Sequence, residues 1–157
     1  MLLRKFHRTD IDQIITLFYE TVHTINKQDY TQEQVYAWAS PTSLKERKEV
    51  WLKALTTHIS YVVEMNGDIV GFSDMTLQGY LDRLFVHKEH QRQGIASALV
   101  DTLESEANKL RLNQIETDSS ITAKPFFERK GYIVVKSQIV ERNSTKLMNF
   151  KMIKRLR

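Results

Sequence analysis

Apolar residues recur every three or four positions in two stretches of the chain, which is the spacing of one helix face. The first stretch covers residues 11–25, and the second, residues 94–110, places an apolar stripe opposite a charged face. A capping-box spacing, in which Ser or Thr is followed three residues later by Gln or Glu, occurs at 31–34 and at 43–46. These patterns predict four helices.

Runs of β-branched and aromatic residues bounded by turn signals predict the strands. Asn66-Gly67 is a strong hairpin signal, because both residues tolerate the positive φ angles of a type I′ turn. The predicted strands span 2–6, 58–65, 68–77, 80–86, 114–117, 132–140 and 147–153, with a short helix over 122–130. The order predicts a mixed α and β fold around a largely antiparallel sheet, formed by one domain over residues 1–157.

The composition and charge of the chain narrow the chemistry available to it. There is no cysteine, which excludes disulfides, thiolate zinc sites and a cysteine nucleophile, and no metal site is predicted. The 23 basic and 19 acidic residues are interleaved and give a net charge of +4, which mildly favours anionic ligands. Only the tail, residues 151–157, is locally basic, so nucleic-acid binding through it is an alternative rather than the expectation. Without an apolar run of membrane-spanning length or a signal peptide, a cytoplasmic protein that does not contact membranes is expected.

A short polar loop connects the strand at 80–86 to the helix that begins at Gly94. The backbone amides of Gln93, Gly94, Ile95 and Ala96 are expected to converge at the positive end of this helix, where phosphate can bind. From the residues alone, an ordinary strand-to-helix turn remains the alternative. The P-loop pattern GxxxxGK[ST] and the dinucleotide pattern GxGxxG are both absent.

Two segments, at 84–100 and 123–135, carry a resemblance to a known family. LFVHKEHQRQGIASALV resembles the acetyl-CoA signature of the GNAT superfamily of N-acetyltransferases, a strand ending in Val followed by Arg/Gln-x-x-Gly-x-Gly/Ala. AKPFFERKGYIVV is similar to the family's later segment, a short helix ending in Gly and an aromatic residue before a strand. Both segments occur in the family's order, and the likeness covers residues 2–152.

The resemblance implies an α+β fold with a mostly antiparallel central sheet of about seven strands, flanked by helices, in which strands 4 and 5 splay into a V. It also implies acetyl-CoA as acetyl donor, with the pantetheine arm lying in this gap like an extra strand and the pyrophosphate at the loop before Gly94. The implied cofactor-binding residues are Leu84, Phe85, Val86, Gln91, Arg92, Gln93, Gly94, Ile95, Ala96, Ser97, Ser119, Ser120 and Phe126.

The catalytic candidates are Asp82 and Tyr80, on the strand that precedes the loop. A primary amine has a pKa of about 10 and must lose a proton before it attacks, so a base is needed. Asp82 is expected to act through water, and a surface ion pair is its alternative role. Strand alternation places Tyr80, Asp82, Leu84 and Val86 on one face.

The group that protonates the leaving thiolate is left open. Many relatives use a tyrosine, but this sequence has Phe127 at that position. Tyr132 is expected to face the core, which leaves Ser119, Tyr30 and water. Because a free thiol has a pKa of about 8.5, protonation by solvent can suffice.

The N-terminal helices are expected to supply the acceptor pocket, with His23 and Tyr30 in it and Asp74 pointing into the same cleft. A small amine such as an amino acid or amino sugar is the predicted acceptor, and Arg83 or His23 would bind its carboxylate. The alternatives are a protein or peptide N-acetyltransferase and a catalytically silent acetyl-CoA-binding module. A monomer or homodimer is expected.

Overall fold

The computed structural model describes residues 1–157, which form five α-helices and seven strands. The elements are β1 (Leu2–Lys5), α1 (Ile11–Thr24), α2 (Gln32–Trp38), α3 (Leu44–Thr57), β2 (Ile59–Met65), β3 (Asp68–Met75), β4 (Tyr80–Val86), α4 (Ile95–Lys109), β5 (Gln114–Ser119), α5 (Lys124–Arg129), β6 (Ile133–Arg142) and β7 (Thr145–Arg155). The strands form a single sheet in the order β1-β2-β3-β4-β5-β7-β6, antiparallel except for the β4–β5 pair. The predicted fold class is therefore confirmed.

Each face of the sheet is covered by its own apolar core. On one face, α1, α2 and α3 pack Phe18 and Trp51 against Phe72 of β3. On the other face, the stripe of α4 packs Leu99 and Leu103 against the sheet. Burying one such side chain stabilises the fold by about 1.5–3 kcal/mol, which explains why the two predicted stripes are the faces that pack on the sheet. None of the helices combines the length and apolar character needed to cross a membrane.

The two capping-box predictions had different outcomes. At α2, Gln34 N donates to Thr31 Oγ1 at 3.1 Å and Thr31 N donates to Gln34 Oε1 at 2.9 Å, as predicted. At α3 the prediction was wrong, because Ser43 forms no side-chain cap. Residues Pro41–Ser43 form a 3-10 turn that leads directly into α3, so Ser43 is not in the extended conformation that a capping residue adopts.

Two of the hairpins close through tight turns in which both central residues have positive φ angles. Asn66 (φ 53°) and Gly67 (φ 84°) close β2 onto β3, as predicted. Asn143 (φ 48°) and Ser144 (φ 63°) close β6 onto β7. The β6–β7 hairpin is longer than predicted, since strand pairing extends to Arg142 and Thr145.

The sheet opens between its two parallel strands. β4 and β5 pair only at Tyr80↔Glu116 and Leu81↔Thr117, and Thr117 Oγ1 donates to Leu81 O at 2.8 Å at this closed end. The rest of β4 has no partner on that side, which confirms the predicted V-shaped splay.

Candidate functional site

A cleft of about 990 Å³ occupies the gap between β4 and β5 and extends over α1, α3 and the start of α4. Most of the residues predicted for the site line it. These are Tyr30, Tyr80, Asp82, Arg83, Leu84, Phe85, Val86, Gln91, Arg92, Gly94, Ile95, Ala96, Ser97, Ser119, Ser120 and Phe126. His23, Asp74 and Gln93 do not line the cleft.

The N-terminus of α4 forms one end of the cleft. Gly94 caps the helix with φ 81°, and the first intrahelical bond is from Ala98 N to Gly94 O at 3.0 Å. The amides of Ile95, Ala96 and Ser97 therefore have no partner within the helix and face outward at its positive end. A Cβ added at Gly94 would meet no atom within 4 Å, so there is open space beside these donors.

Close packing positions this helix end against the sheet. The Ile95 side chain is buried directly above Gly71 of β3, where an added Cβ would lie 2.6 Å from Ile95 Cγ2. The Gln91 side chain braces the preceding loop, because its Nε2 donates to Val86 O at 2.7 Å and more weakly to His87 O at 3.3 Å. No local signal in the sequence marked the role of Gly71, because the residue that it contacts, Ile95, is 24 positions away in the chain.

The backbone of β4 presents alternate residues to the gap. His87 N donates to Val70 O, and by antiparallel alternation the backbone groups of Phe85 also face β3, opposite Phe72. The backbone N–H and C=O groups of Leu84 and Val86 point the other way, into the gap between β4 and β5. The Val86 carbonyl already accepts from Thr21 Oγ1 and Gln91 Nε2. The donors that remain for a ligand here are the amides of Leu84 and Val86, whereas Phe85 contributes its ring to the core on the α1 side.

A β-bulge at Asp82 overturns the predicted shared face of β4. In the ladder with β3, Asp74 pairs with Arg83 and Met75 pairs with Leu81, so Asp82 is an extra residue. Leu84 and Val86 pack in the core beneath α4. The Asp82 carboxylate instead lies with Arg83 on the α3 side of the sheet. Strand periodicity alone could not place the bulge.

Arg83 is at the centre of an ion cluster. Its Nη1 donates to Asp74 Oδ2 at 2.6 Å and to Asp82 Oδ2 at 3.2 Å, and its guanidinium lies over the Trp51 ring at 4.7 Å. His58 Nδ1 lies 2.8 Å from the same Asp74 oxygen. Asp74 is completely buried, so it serves this cluster and does not point into the cleft as predicted.

The cluster changes the pKa of two of its members. The hydrogen bond to Asp74 raises the pKa of His58, so the imidazolium form is favoured. Enclosure by the cleft walls raises the pKa of Asp82, although Arg83 opposes the shift and the side chain is 32% exposed. Ligand atoms of His58, Asp74 and Asp82 lie within 4.8 Å of one another, but the Arg83 guanidinium already supplies positive charge there.

Tyr80 lies on the same side of the cleft as Asp82. Its hydroxyl donates to Asp118 Oδ2 of β5 at 2.7 Å, and the other oxygen of Asp118 accepts from Gln138 Nε2 at 2.8 Å. Burial, followed by the Asp118 hydrogen bond, raises the pKa of Tyr80 far above its usual value. Tyr80 therefore keeps its proton at neutral pH.

The wall opposite β4 comes from β5 and α5. Ser119 Oγ donates to Ser120 O at 2.9 Å, and Ser120 Oγ accepts from Ala123 N at 3.0 Å, so both hydroxyls are engaged in shaping the turn before α5. Phe127 is buried against Tyr132 at 5.1 Å between ring centroids. The Tyr132 hydroxyl donates to Glu104 Oε2 at 3.0 Å, so Tyr132 faces the core, as predicted.

The two residues expected in the acceptor pocket are placed differently. Tyr30 lines the cleft, and its hydroxyl donates to Met148 O and accepts from Ile121 N, which connects the segment before α2 to the opposite wall. His23 lies outside the cleft, packed against the Tyr19 and Tyr36 rings with Nε2 2.7 Å from Ala39 O. The interpretation of His23 as a pocket residue is not supported by its position.

Sequence reasoning missed several residues that line the α3 side of the cleft. Arg47 and Trp51 of α3 and Arg142 of β6 all reach it. On a helix whose exposed face is rich in charge, an arginine is expected to point to solvent, so no local signal marked Arg47.

Known proteins are similar to this chain in sequence and in fold. A family model described as an acetyltransferase (GNAT) domain matches residues 26–154. The uncharacterized N-acetyltransferase YafP of Escherichia coli K12 is 35% identical over 150 residues, which cover 96% of this chain and 93% of that protein. The chain belongs to the GNAT family of acetyltransferases. It is thus an acyltransferase with acetyl-CoA as donor, which confirms the predicted enzyme class and cofactor.

Solved GNAT structures agree with this assignment. A GCN5-related N-acetyltransferase from Rhodopseudomonas palustris has a TM-score of 0.92 at 26% identity, covering 99% of this chain and 95% of that one. The PaiA N-acetyltransferase of Thermoplasma acidophilum, solved in complex with coenzyme A, shares the fold with a TM-score of 0.78 at 17% identity over 98% of both chains.

Proposed function

We propose that this GNAT protein transfers acetyl from acetyl-CoA to the primary amine of a small molecule. The observation that carries the proposal is the cleft itself. It joins free helix-end amides, an unpaired strand edge and a carboxylate with a raised pKa in one space of about 990 Å³. This volume is at the upper end for small-ligand sites and holds a cofactor arm together with a compact acceptor.

The residues at one end of the cleft fit the cofactor. The unpartnered amides of Ile95, Ala96 and Ser97 suit the pyrophosphate, and the open space at Gly94 lets it approach the backbone. Arg92 and Arg129, which form no ion pair, line the same cleft and add positive charge. The gap-facing backbone of Leu84 and Val86 suits the pantetheine arm, with Ser119, Ser120 and Phe126 on the other wall.

The chain's own residues supply the proton and charge chemistry around the thioester that acetyl-CoA provides. Asp82, through water, takes a proton from the acceptor amine, and its raised pKa improves it as a base. The amides of Leu84 and Val86 donate toward a carbonyl oxygen held in the gap, where such donors stabilise developing negative charge. The Tyr80 hydroxyl already donates to Asp118, and its raised pKa makes it a weak acid, so water protonates the leaving thiolate, whose own pKa is about 8.5.

A screen of acceptors tests the proposal. The protein is incubated with acetyl-CoA and matched panels of free amino acids, amino sugars, simple amines and lysine-containing peptides, and thiol release is followed. Turnover of free amines above that of peptides is the expected result. Turnover confined to peptides would replace the small acceptor with a protein substrate, and cofactor binding without turnover on any panel would favour a silent binding module.

A further inference from the structure

Arg47 of α3 is a cation in the cleft without an anionic partner. Its Nη2 donates to Trp38 O at 2.8 Å, and its guanidinium lies 4.7 Å from the Phe18 ring centroid and 5.6 Å from that of Trp51. Its Nε is buried and has no hydrogen-bond acceptor. No carboxylate forms an ion pair with it, although a partly buried charge normally requires one.

The charged groups around Arg47 do not supply the missing anionic partner. Arg83 is close to Arg47 and is also cationic. Asp74 and Asp82 both pair with Arg83, so neither forms an ion pair with Arg47. Arg142 lines the same cleft and donates from Nη1 only to the Glu141 carbonyl. Burial first, and then the charges of Arg142 and Arg83, lower the pKa of Arg47. Neither Arg47 nor Arg142 forms an ion pair, so the α3 side of the cleft has two guanidinium groups that no carboxylate contacts.

Arg47 is placed to contact the acceptor and not the phosphates of the cofactor. Arg47 packs on the face of the sheet covered by α1 and α3, beside the Arg83–Asp82 pair. The start of α4, where the free amides lie, packs on the opposite face. An acceptor whose amine approaches Asp82 thus has Arg47 and Arg142 beside its remaining atoms.

We infer that Arg47 and Arg142 form an anion subsite for the acceptor, and that the acceptor is an amine that also carries a carboxylate, such as a free amino acid. This inference rests on the proposed function and refines its substrate class. The guanidinium donors bind the carboxylate while Asp82 receives the amine proton. Arg83, which the sequence suggested for this role, is already neutralised.

The test compares matched acceptors that differ only in this charge. For the amino acid with the highest turnover and its carboxamide, kcat/KM is measured in the wild type and in Arg47→Met, Arg47→Lys, Arg142→Gln and Arg155→Gln. Hydrogen bonds to charged groups predict that the wild type prefers the carboxylate by about 10- to 100-fold. Arg47→Met and Arg142→Gln should each reduce that preference by about 10-fold, mainly by lowering kcat/KM for the carboxylate. Arg47→Lys retains part of the preference, and Arg155→Gln, an exposed arginine without an ion pair, retains all of it.

A binding readout separates failure of this inference from failure of the proposed function. N-acetylglycine and its carboxamide, which can be used whether or not the screen finds an acceptor, are titrated calorimetrically into the coenzyme A complex of each variant, and thermal unfolding checks folding. Equal affinity for the two probes in the wild type, or the same preference after both Arg47→Met and Arg142→Gln, overturns the anion subsite even where amines are acetylated. Carboxylate-selective binding that depends on these arginines supports the subsite even where the acceptor screen shows no turnover.

Discussion

Arg83 Nη1 donates to Asp74 Oδ2 at 2.6 Å, which ties the wall of the cleft to the fully buried carboxylate behind it. His58 contacts the same oxygen, so two cationic groups converge on one acceptor. The pair orients Arg83 toward Asp82 and neutralises it. As a result, the charge available to a ligand on this side comes from Arg47 and Arg142.

The His58–Asp74 contact predicts that stability falls with rising pH. Because Asp74 raises the pKa of His58 above 6.5, the contact stabilises the folded state fully below pH 6.5. This contribution is lost as the pH rises through the higher folded-state pKa. His58→Gln should therefore lower the free energy of unfolding more at pH 6 than at pH 9. Urea denaturation at both pH values measures the difference, and an equal loss at the two would contradict the prediction.

Asp82→Asn should lower kcat by about 100-fold, with little change in acetyl-CoA affinity, because a positioned base contributes about this much. In the wild type, Asp82 must be ionised to receive the proton of the amine, so kcat/KM should fall in acid, and this acid limb should be absent from the variant. The acid limb should lie above the usual carboxyl range, since enclosure raises the pKa of Asp82. Asp68→Asn, at the exposed start of β3, is the control. Full activity of Asp82→Asn across the pH range removes Asp82 from the mechanism.

Gly94→Glu should weaken coenzyme A binding by about 10- to 100-fold, the range expected when a charge-assisted hydrogen bond is lost. The added carboxylate would lie beside the free amides at the start of α4 and repel the pyrophosphate. Gly67→Glu is a matched control, since Gly67 has φ 84° and open space around it, like Gly94 with φ 81°. Both variants carry the same backbone strain and added charge. Calorimetry that shows equal affinity for the two would place the pyrophosphate elsewhere.

Gly71→Ala should destabilise the fold by about 1–3 kcal/mol, as overpacking of a core does. The new Cβ would lie 2.6 Å from Ile95 Cγ2 and 3.3 Å from Leu99 Cδ1, which pushes the start of α4 away from the sheet. Ile95→Ala removes the clashing methyl group, so the double variant should be more stable than the sum of the single losses predicts. If denaturation shows that the losses of unfolding free energy in the two single variants simply add in the double variant, the contact between residues 71 and 95 does not set the position of α4.

The sequence by itself determined the features that depend on local chemistry. The Asn66-Gly67 turn follows from the φ angles those residues tolerate, and the burial of α4 follows from a 3.6-residue period. The free amides at the start of α4 beside Gly94 were also predictable, because a helix must leave its first amides free wherever it starts. These signals lie within a few residues of one another in the chain.

The tertiary structure alone decided how the cleft is charged and which strand groups face it. The bulge at Asp82 depends on the register of β4 against β3, and it separates Asp82 from the face that alternation predicted. Asp74 is buried behind the cleft wall, where Arg83 and His58 contact its carboxylate, and His23 contacts Ala39 outside the cleft. Arg47 enters the cleft because α3 packs its residues Arg47 and Trp51 toward the sheet. Pairing between residues far apart in the chain selects these positions, and no local pattern records which partner a charged side chain meets.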